Sequence, residues 1–230
     1  MSELPKIVFA GDPHGDFRPI VRAALRVRPA GVVLLGDFDL SRLLDVEVAE
    51  VIAAGIAVHW IPGNHDTDKP EWFDHVFNSR LAGKNLHGKV ALVGGLVVAG
   101  LGGVFRKSAW NGDEKIAPGT PRKFDKRMEL KHKSSIFPDD FERVAQLKRL
   151  DVLECHEAPR ATHENGAEAI DRLITRTKPR YVIHGHHHKD YRARIGETTV
   201  IGVGKSGVAD LQQTIVPGAG QSQHRARMKP

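Results

Sequence analysis

The chain has a single cysteine, Cys155, in 230 residues. That excludes a disulfide framework and any four-cysteine zinc site, and it points to a reducing compartment. No apolar run approaches the ~20 residues needed to cross a bilayer. The first ten residues, MSELPKIVFA, carry neither a basic n-region nor an apolar h-region, so no signal peptide is expected and the cytoplasm is the expected location. Tyrosine and tryptophan are scarce, at 2 and 3 residues. What the chain does have is histidine, 13 residues of it, and a net charge of +6. The charge favours anionic substrates without singling out nucleic acid. A hydrophobic share of 40% and a charged share of 27% are globular values.

Short β-branched runs alternate with helical patterns. Lys6–Ala10, Gly31–Leu35 and Ile56–Ile61 read as strands, while Phe17–Val27 and Arg42–Ala54 read as helices. This alternation points to βαβ units and a mainly parallel sheet. Farther along, Asn85–Leu101 reads as a hairpin and Asp139–Leu147 as a helix. Asp151–Cys155 reads as a strand, Gly166–Thr175 as a helix, Tyr181–Ile183 as a strand, and Arg192–Val203 as a closing hairpin.

Five of these strands run into polar residues of metal-ligand type: Asp12-Pro13-His14, Gly36-Asp37, Gly63-Asn64-His65-Asp66, His156, and Gly185-His186-His187-His188. In a parallel sheet the carboxyl ends of the strands share one edge, where ligands bind. Five segments distant in sequence should therefore meet in one crevice. Their donors are nitrogen and oxygen, which suit Mn, Fe, Zn, Ni or Co. They outnumber what one ion needs, and a carboxylate can bridge two ions, as in two-metal sites for in-line displacement.

Asp12-x-His14, Gly36-Asp37, Gly63-Asn64-His65-Asp66, His156 and Gly185-His186-x-His188, in that order, resemble the motifs of the calcineurin-like metallophosphoesterase superfamily. The resemblance implies an α/β fold with α+β character, a mixed β-sandwich flanked by helices in four αββα layers. It also implies a phosphomonoesterase or phosphodiesterase using two divalent or mixed-valence ions, manganese being the first choice for assay, with a hydroxide between them attacking phosphorus. Asp12, His14 and His188 would hold the first ion, Asn64, His156 and His186 the second, and Asp37 would bridge. His65 would serve the leaving oxygen, with Asp66 orienting its ring. Where many members of the superfamily have an acid or Arg, this chain has Leu40. The acid lies one place earlier, at Asp39, and receives no role.

One domain is expected over residues 1–216, with a basic insertion at 106–133 that carries a net +5 and a flexible basic tail at 217–230. Arg106, directly after a strand, is the candidate for substrate phosphate. Gly202-Val203-Gly204-Lys205-Ser206 imitates a phosphate loop but has Thr199 where the first glycine belongs. His184 reads as structural and His187 as exposed, while His163, which precedes a helix, is left open between a residue outside the site and one that reaches it. The expected substrate is a phosphorylated small molecule, nucleotide or phosphoprotein, with no membrane partner. A nuclease acting on DNA or RNA is the variant reading, and a silent metal-binding scaffold is the reading from another class. Intact ligand positions and His65 argue against the scaffold.

Overall fold

The computed structural model describes residues 7–115 and 129–219. Among the described residues eleven strands form two sheets. The first holds β1 (Ile7–Ala10), β2 (Gly31–Leu34) and β3 (Ala57–Trp60) in parallel. It is extended antiparallel by β10 (Val208–Ala209) and β11 (Thr214–Val216). The second has the order β4-β5-β6-β7-β9-β8. Its parallel centre is β5 (Leu96–Leu101), β6 (Val152–Cys155), β7 (Tyr181–His184) and β9 (Thr198–Gly202), with β4 (Lys89–Val93) and β8 (Tyr191–Ile195) antiparallel at the edges.

Period-two alternation sends each strand's side chains into two different cores. In β1, Ile7 and Phe9 face the other sheet, while Val8 and Ala10 face helices α1 (Arg18–Val27), α2 (Leu44–Glu47) and α3 (Ala49–Ala53). In β6, Val152 faces inward, while Leu153 and Cys155 meet α5 (Pro138–Ala145) and α6 (Glu168–Thr177). Burial on both faces is why these strands read as unbroken apolar runs. The result is the four-layer αββα sandwich that the resemblance implied.

Three details differ from the sequence reading. The helix expected over 42–54 is two short helices, broken at Val48 (φ −108°, ψ 21°). Helix α4 (Pro70–Phe77), opened by its N-terminal proline, was not anticipated, nor were β10 and β11. The tail does not start loose at 217, because Gly218 N–H donates to Asp190 at 2.6 Å and Ala219 N–H to the Lys205 carbonyl at 2.7 Å. Residues 220–230 lie outside the described residues. So do 116–128, the middle of the basic insertion. The insertion's ends are part of the fold: Trp110 packs in the outer core of the second sheet, and the 3-10 helix Leu130–Ser134 docks against the loop after β3. Among the described residues no helix is long and apolar enough to cross a membrane.

Glu154 is the misfit in this core. Alternation places it between the sheets, beside Gly100 and Ile61, fully buried, with neither carboxylate oxygen hydrogen-bonded among the described residues. Burial raises its pKa well above the usual carboxylate value. A raised folded-state pKa gives stability that is complete below the unfolded pKa of ~4.3 and lost as pH climbs toward the folded value. Glu154→Gln keeps the shape and removes the ionisation. In urea denaturation at a series of pH values above 5, the variant should gain on wild type as the pH rises. A gap that does not change with pH would show that Glu154 titrates in the fold as it does in water.

Candidate active site

Five strand ends, from both sheets, deliver the site. Asp12 and His14 follow β1, Asp37 and Asp39 follow β2, and Asn64–Asp66 follow β3. His156 follows β6, and His186–His188 follow β7. The chain turns off these strands through left-handed backbone: Asp12, His14, Asp37, Asp39, His186 and His188 have φ between 37° and 68°. Asp and His tolerate this region better than most residues, and such positions persist when surrounding structure fixes them. Space is equally tight. A Cβ at Gly185 would lie 2.8 Å from both Asp12 carboxylate oxygens, and one at Gly63 would overlap Asp37 and His156.

His14 and His156 are each held by one ring nitrogen. His14 Nδ1 donates to Asp39 Oδ2 at 2.8 Å, which gives Asp39 the role the sequence withheld. His156 Nδ1 donates to the Leu35 carbonyl at 2.7 Å. Their Nε2 atoms are thereby left bare, and they face other acceptors. His14 Nε2 is 3.1 Å from His188 Nε2. His156 Nε2 is 3.2 Å from Asn64 Oδ1 and 3.3 Å from Asp37 Oδ2. Asp12 Oδ1 is buried with no hydrogen-bond partner among the described residues. Acceptors gathered at these distances suit neighbouring ligands of a cation, so the residues fit the divalent ions that the sequence pattern implied. Asp37, His156 and His186 offer ligand atoms all within 4.8 Å of one another.

Electrostatics agree. Burial pushes Asp12 up to about 7, against the pull of His156. Burial also opposes charge on Asp37, yet His156 holds its carboxyl well below the usual range. For His156 itself burial is overcome by Asp37, which carries the ring up to about 10. The carboxylates thus demand positive charge at this spot. His186, by contrast, is driven down to about 3 by burial and by His156, and burial with His14 lowers His188. Both shifts favour the neutral imidazole, which has a lone pair to offer.

The acidic partner of His65 differs from the expectation. Asp66 is fully buried and its carboxylate accepts three backbone N–H groups: Asp37 at 3.1 Å, Phe38 at 2.8 Å and Gly63 at 2.7 Å. It ties the loop after β2 to the loop after β3. The ring is held instead by Asp68, whose Oδ2 lies 2.6 Å from His65 Nδ1. His65 N–H also donates to Asp37 Oδ1 at 2.9 Å.

The remaining candidates fall around the rim. Arg106 is half-buried, its Nε has no hydrogen-bond partner among the described residues, and its charged neighbours are Asp68, Asp37 and Glu157. His187 is not exposed as expected: it stacks on His163, with ring centroids 3.8 Å apart. His163 therefore backs His187 and joins neither metal-type cluster among the described residues. His184 is buried and shares a 2.6 Å hydrogen bond with Tyr191 Oη. Glu157 was not singled out by sequence. Its Oε1 lies 3.3 Å from His186 Nε2.

A family profile described as calcineurin-like phosphoesterase matches residues 5–190. A protein of Haemophilus influenzae with no assigned function is 33% identical over 203 residues, covering 82% of this chain and 85% of the relative. Among solved structures, TT1561 of Thermus thermophilus superposes with a TM-score of 0.65 at 17% identity, covering 93% of this chain and 99% of that one. The phosphopantetheinyl hydrolase of Mycobacterium tuberculosis gives a TM-score of 0.50 at 14% identity, covering 90% and 92%. At these identities the structural likeness speaks to fold. The chain belongs to the calcineurin-like phosphoesterase family.

Proposed function

We propose that this protein hydrolyses a phosphomonoester or phosphodiester at a two-ion centre, with Asp12, His14 and His188 holding one ion, Asn64, His156 and His186 the other, and Asp37 both. The observation that carries this reading is the set of bare acceptors converging from both sheets, with the rings of His14 and His156 fixed by their other nitrogens. When bound, such ions supply Lewis acidity toward phosphoryl oxygens and make water nucleophilic near neutral pH.

The chain's own groups do the rest. Asp39 and the Leu35 carbonyl fix the tautomers of His14 and His156. Asp66 locks the two loops that carry Asp37 and His65. His65, with Nδ1 committed to Asp68, turns Nε2 toward the leaving oxygen and supplies its proton. Arg106 is the available cation for a phosphate oxygen, since its Nε lacks a protein partner.

Protein loaded with Mn²⁺ should hold two equivalents by elemental analysis and hydrolyse nitrophenyl phosphate or its diester, and chelation should abolish turnover. Asp37→Asn should weaken both ions together. Full occupancy in that variant would remove Asp37 from the bridging position. Loaded protein inert toward monoesters, diesters, nucleotides and single-stranded DNA alike would replace the enzyme with a metal-binding scaffold.

A further inference from the structure

Glu157 lies outside every motif of the sequence, yet it stands where a ligand-orienting group belongs. It leaves β6 directly after His156, and its side chain retains only 12% exposure. Its Oε1 is 3.3 Å from His186 Nε2, and Glu157, His186 and His187 bring ligand-type atoms within 4.8 Å of one another.

Two other rings in the site share one construction, with one nitrogen tied to an oxygen acceptor and the other bare. For His14 the acceptor is Asp39, and for His156 it is the Leu35 carbonyl. His186 has no backbone carbonyl or other carboxylate in that place among the described residues. We infer that Glu157 is the positioning residue for His186, accepting the Nε2 proton so that Nδ1 is left bare for the second ion. This rests on the two-ion reading above.

The surroundings agree with that task. The main chain of His186 is pinned independently, its N–H donating to Asp12 Oδ2 at 2.9 Å in a left-handed conformation (φ 68°). Backbone and ring are therefore held from opposite ends, by Asp12 and by Glu157. A ring with its backbone fixed has little freedom left except rotation about its side-chain bonds, and a carboxylate on Nε2 removes that. Metal-bound imidazoles commonly donate their second N–H to a carboxylate or carbonyl, and losing the acceptor costs roughly 10–100-fold in metal affinity.

Metal affinity and metal-free stability, measured on the same variants, separate a positioning role from a merely structural one. Mn²⁺ is titrated into wild type, Glu157→Leu and Glu157→Gln, with bound ion followed by electron paramagnetic resonance and metal-free melting measured alongside. Wild type should bind two ions. Glu157→Leu should bind the first ion as wild type does, hold the second about 10–100-fold more weakly, and melt no lower than wild type when metal-free. Glu157→Gln retains an oxygen acceptor and should recover much of the loss. In zinc-loaded wild type, ¹⁵N-resolved imidazole spectra should report His186 as the Nε2–H tautomer. Unchanged second-ion affinity in Glu157→Leu, a loss accompanied by a lower metal-free melting temperature, or coordination through His186 Nε2 would each overturn the inference. Wild type that binds only one ion at saturating Mn²⁺ would instead sink the two-ion reading, and this inference with it.

Discussion

His65→Ala should lower kcat by about 10²–10⁴-fold and leave bound metal unchanged. The ring is 45% exposed and approaches the cluster edge-on, its centroid 5.5 Å from that of His14. What ties this residue to Asp37 is its backbone N–H, which the substitution retains. The loss should therefore fall on proton delivery to the leaving oxygen. It should shrink for nitrophenyl esters, whose leaving group needs little protonation, and be largest for alkyl phosphates. Asp68→Asn should follow the same leaving-group trend with a smaller amplitude, because it disturbs only the tautomer and aim of the ring. Metal analysis and a leaving-group series on the same preparations check this. Metal lost together with His65 would make the residue a ligand.

The second large effect belongs to Asp66→Ala, and it should be one of stability. This carboxylate accepts from the N–H groups of Asp37, Phe38 and Gly63 in a fully buried setting. Each orphaned buried donor costs about 1–3 kcal/mol. Against this stands relief from burying the acid, which desolvation and the Asp37 charge together push up to about 7. A net loss of about 3–5 kcal/mol is expected, and occupancy of both ions should fall with it, since Asp37 and Asn64 ride on the loosened loops. Denaturant unfolding and elemental analysis decide the matter. A variant of wild-type stability and metal content that had lost only turnover would return Asp66 to the ring of His65.

The exchange of Asp66 for Asp68 shows where sequence reading stopped. The strand ends were legible because apolar runs and the Gly, Asp and His residues behind them are local signals. The partner of His65 depends on the turn that follows it. Residues 65–67 form a 3-10 helix, with three residues per turn, so positions i and i+3 eclipse. Asp68 then stands over His65 while Asp66 points into the interior. Nothing in His-Asp-Thr-Asp distinguishes a 3-10 turn from a plain loop. Asp39 was hidden for a related reason. Its left-handed backbone (φ 49°) carries the side chain back toward His14, whereas an extended residue would point away. His187 likewise sits between two left-handed residues, so the alternation of an extended loop does not apply to it. Glu157 follows a motif histidine with no signal but its charge. The alternation of apolar runs and helical patterns pointed to a mainly parallel sheet and the four layers were implied by the family resemblance, whereas α4, β10 and β11 are short elements whose existence depends on the sheet and core they complete.

The division of donors between the sheets has a further consequence for how the protein comes into being. Asp12, His14, Asp37 and Asn64 come from the first sheet and His156, His186 and His188 from the second, the two sheets packing across the inter-sheet core that includes Phe9, Leu35 and Ile183. Neither sheet alone presents the donor set. During synthesis, a chain emerging from the ribosome displays the first sheet's donors early, but it lacks the other three imidazoles until residue 188 is out and the sandwich has closed. On the two-ion reading, ion capture would thus wait until the sandwich has closed. A ligand that binds only the finished form shifts the folding equilibrium toward it, so cation supply in the cell would govern the fraction of chains that escape quality control as well as the rate at which they turn over substrate.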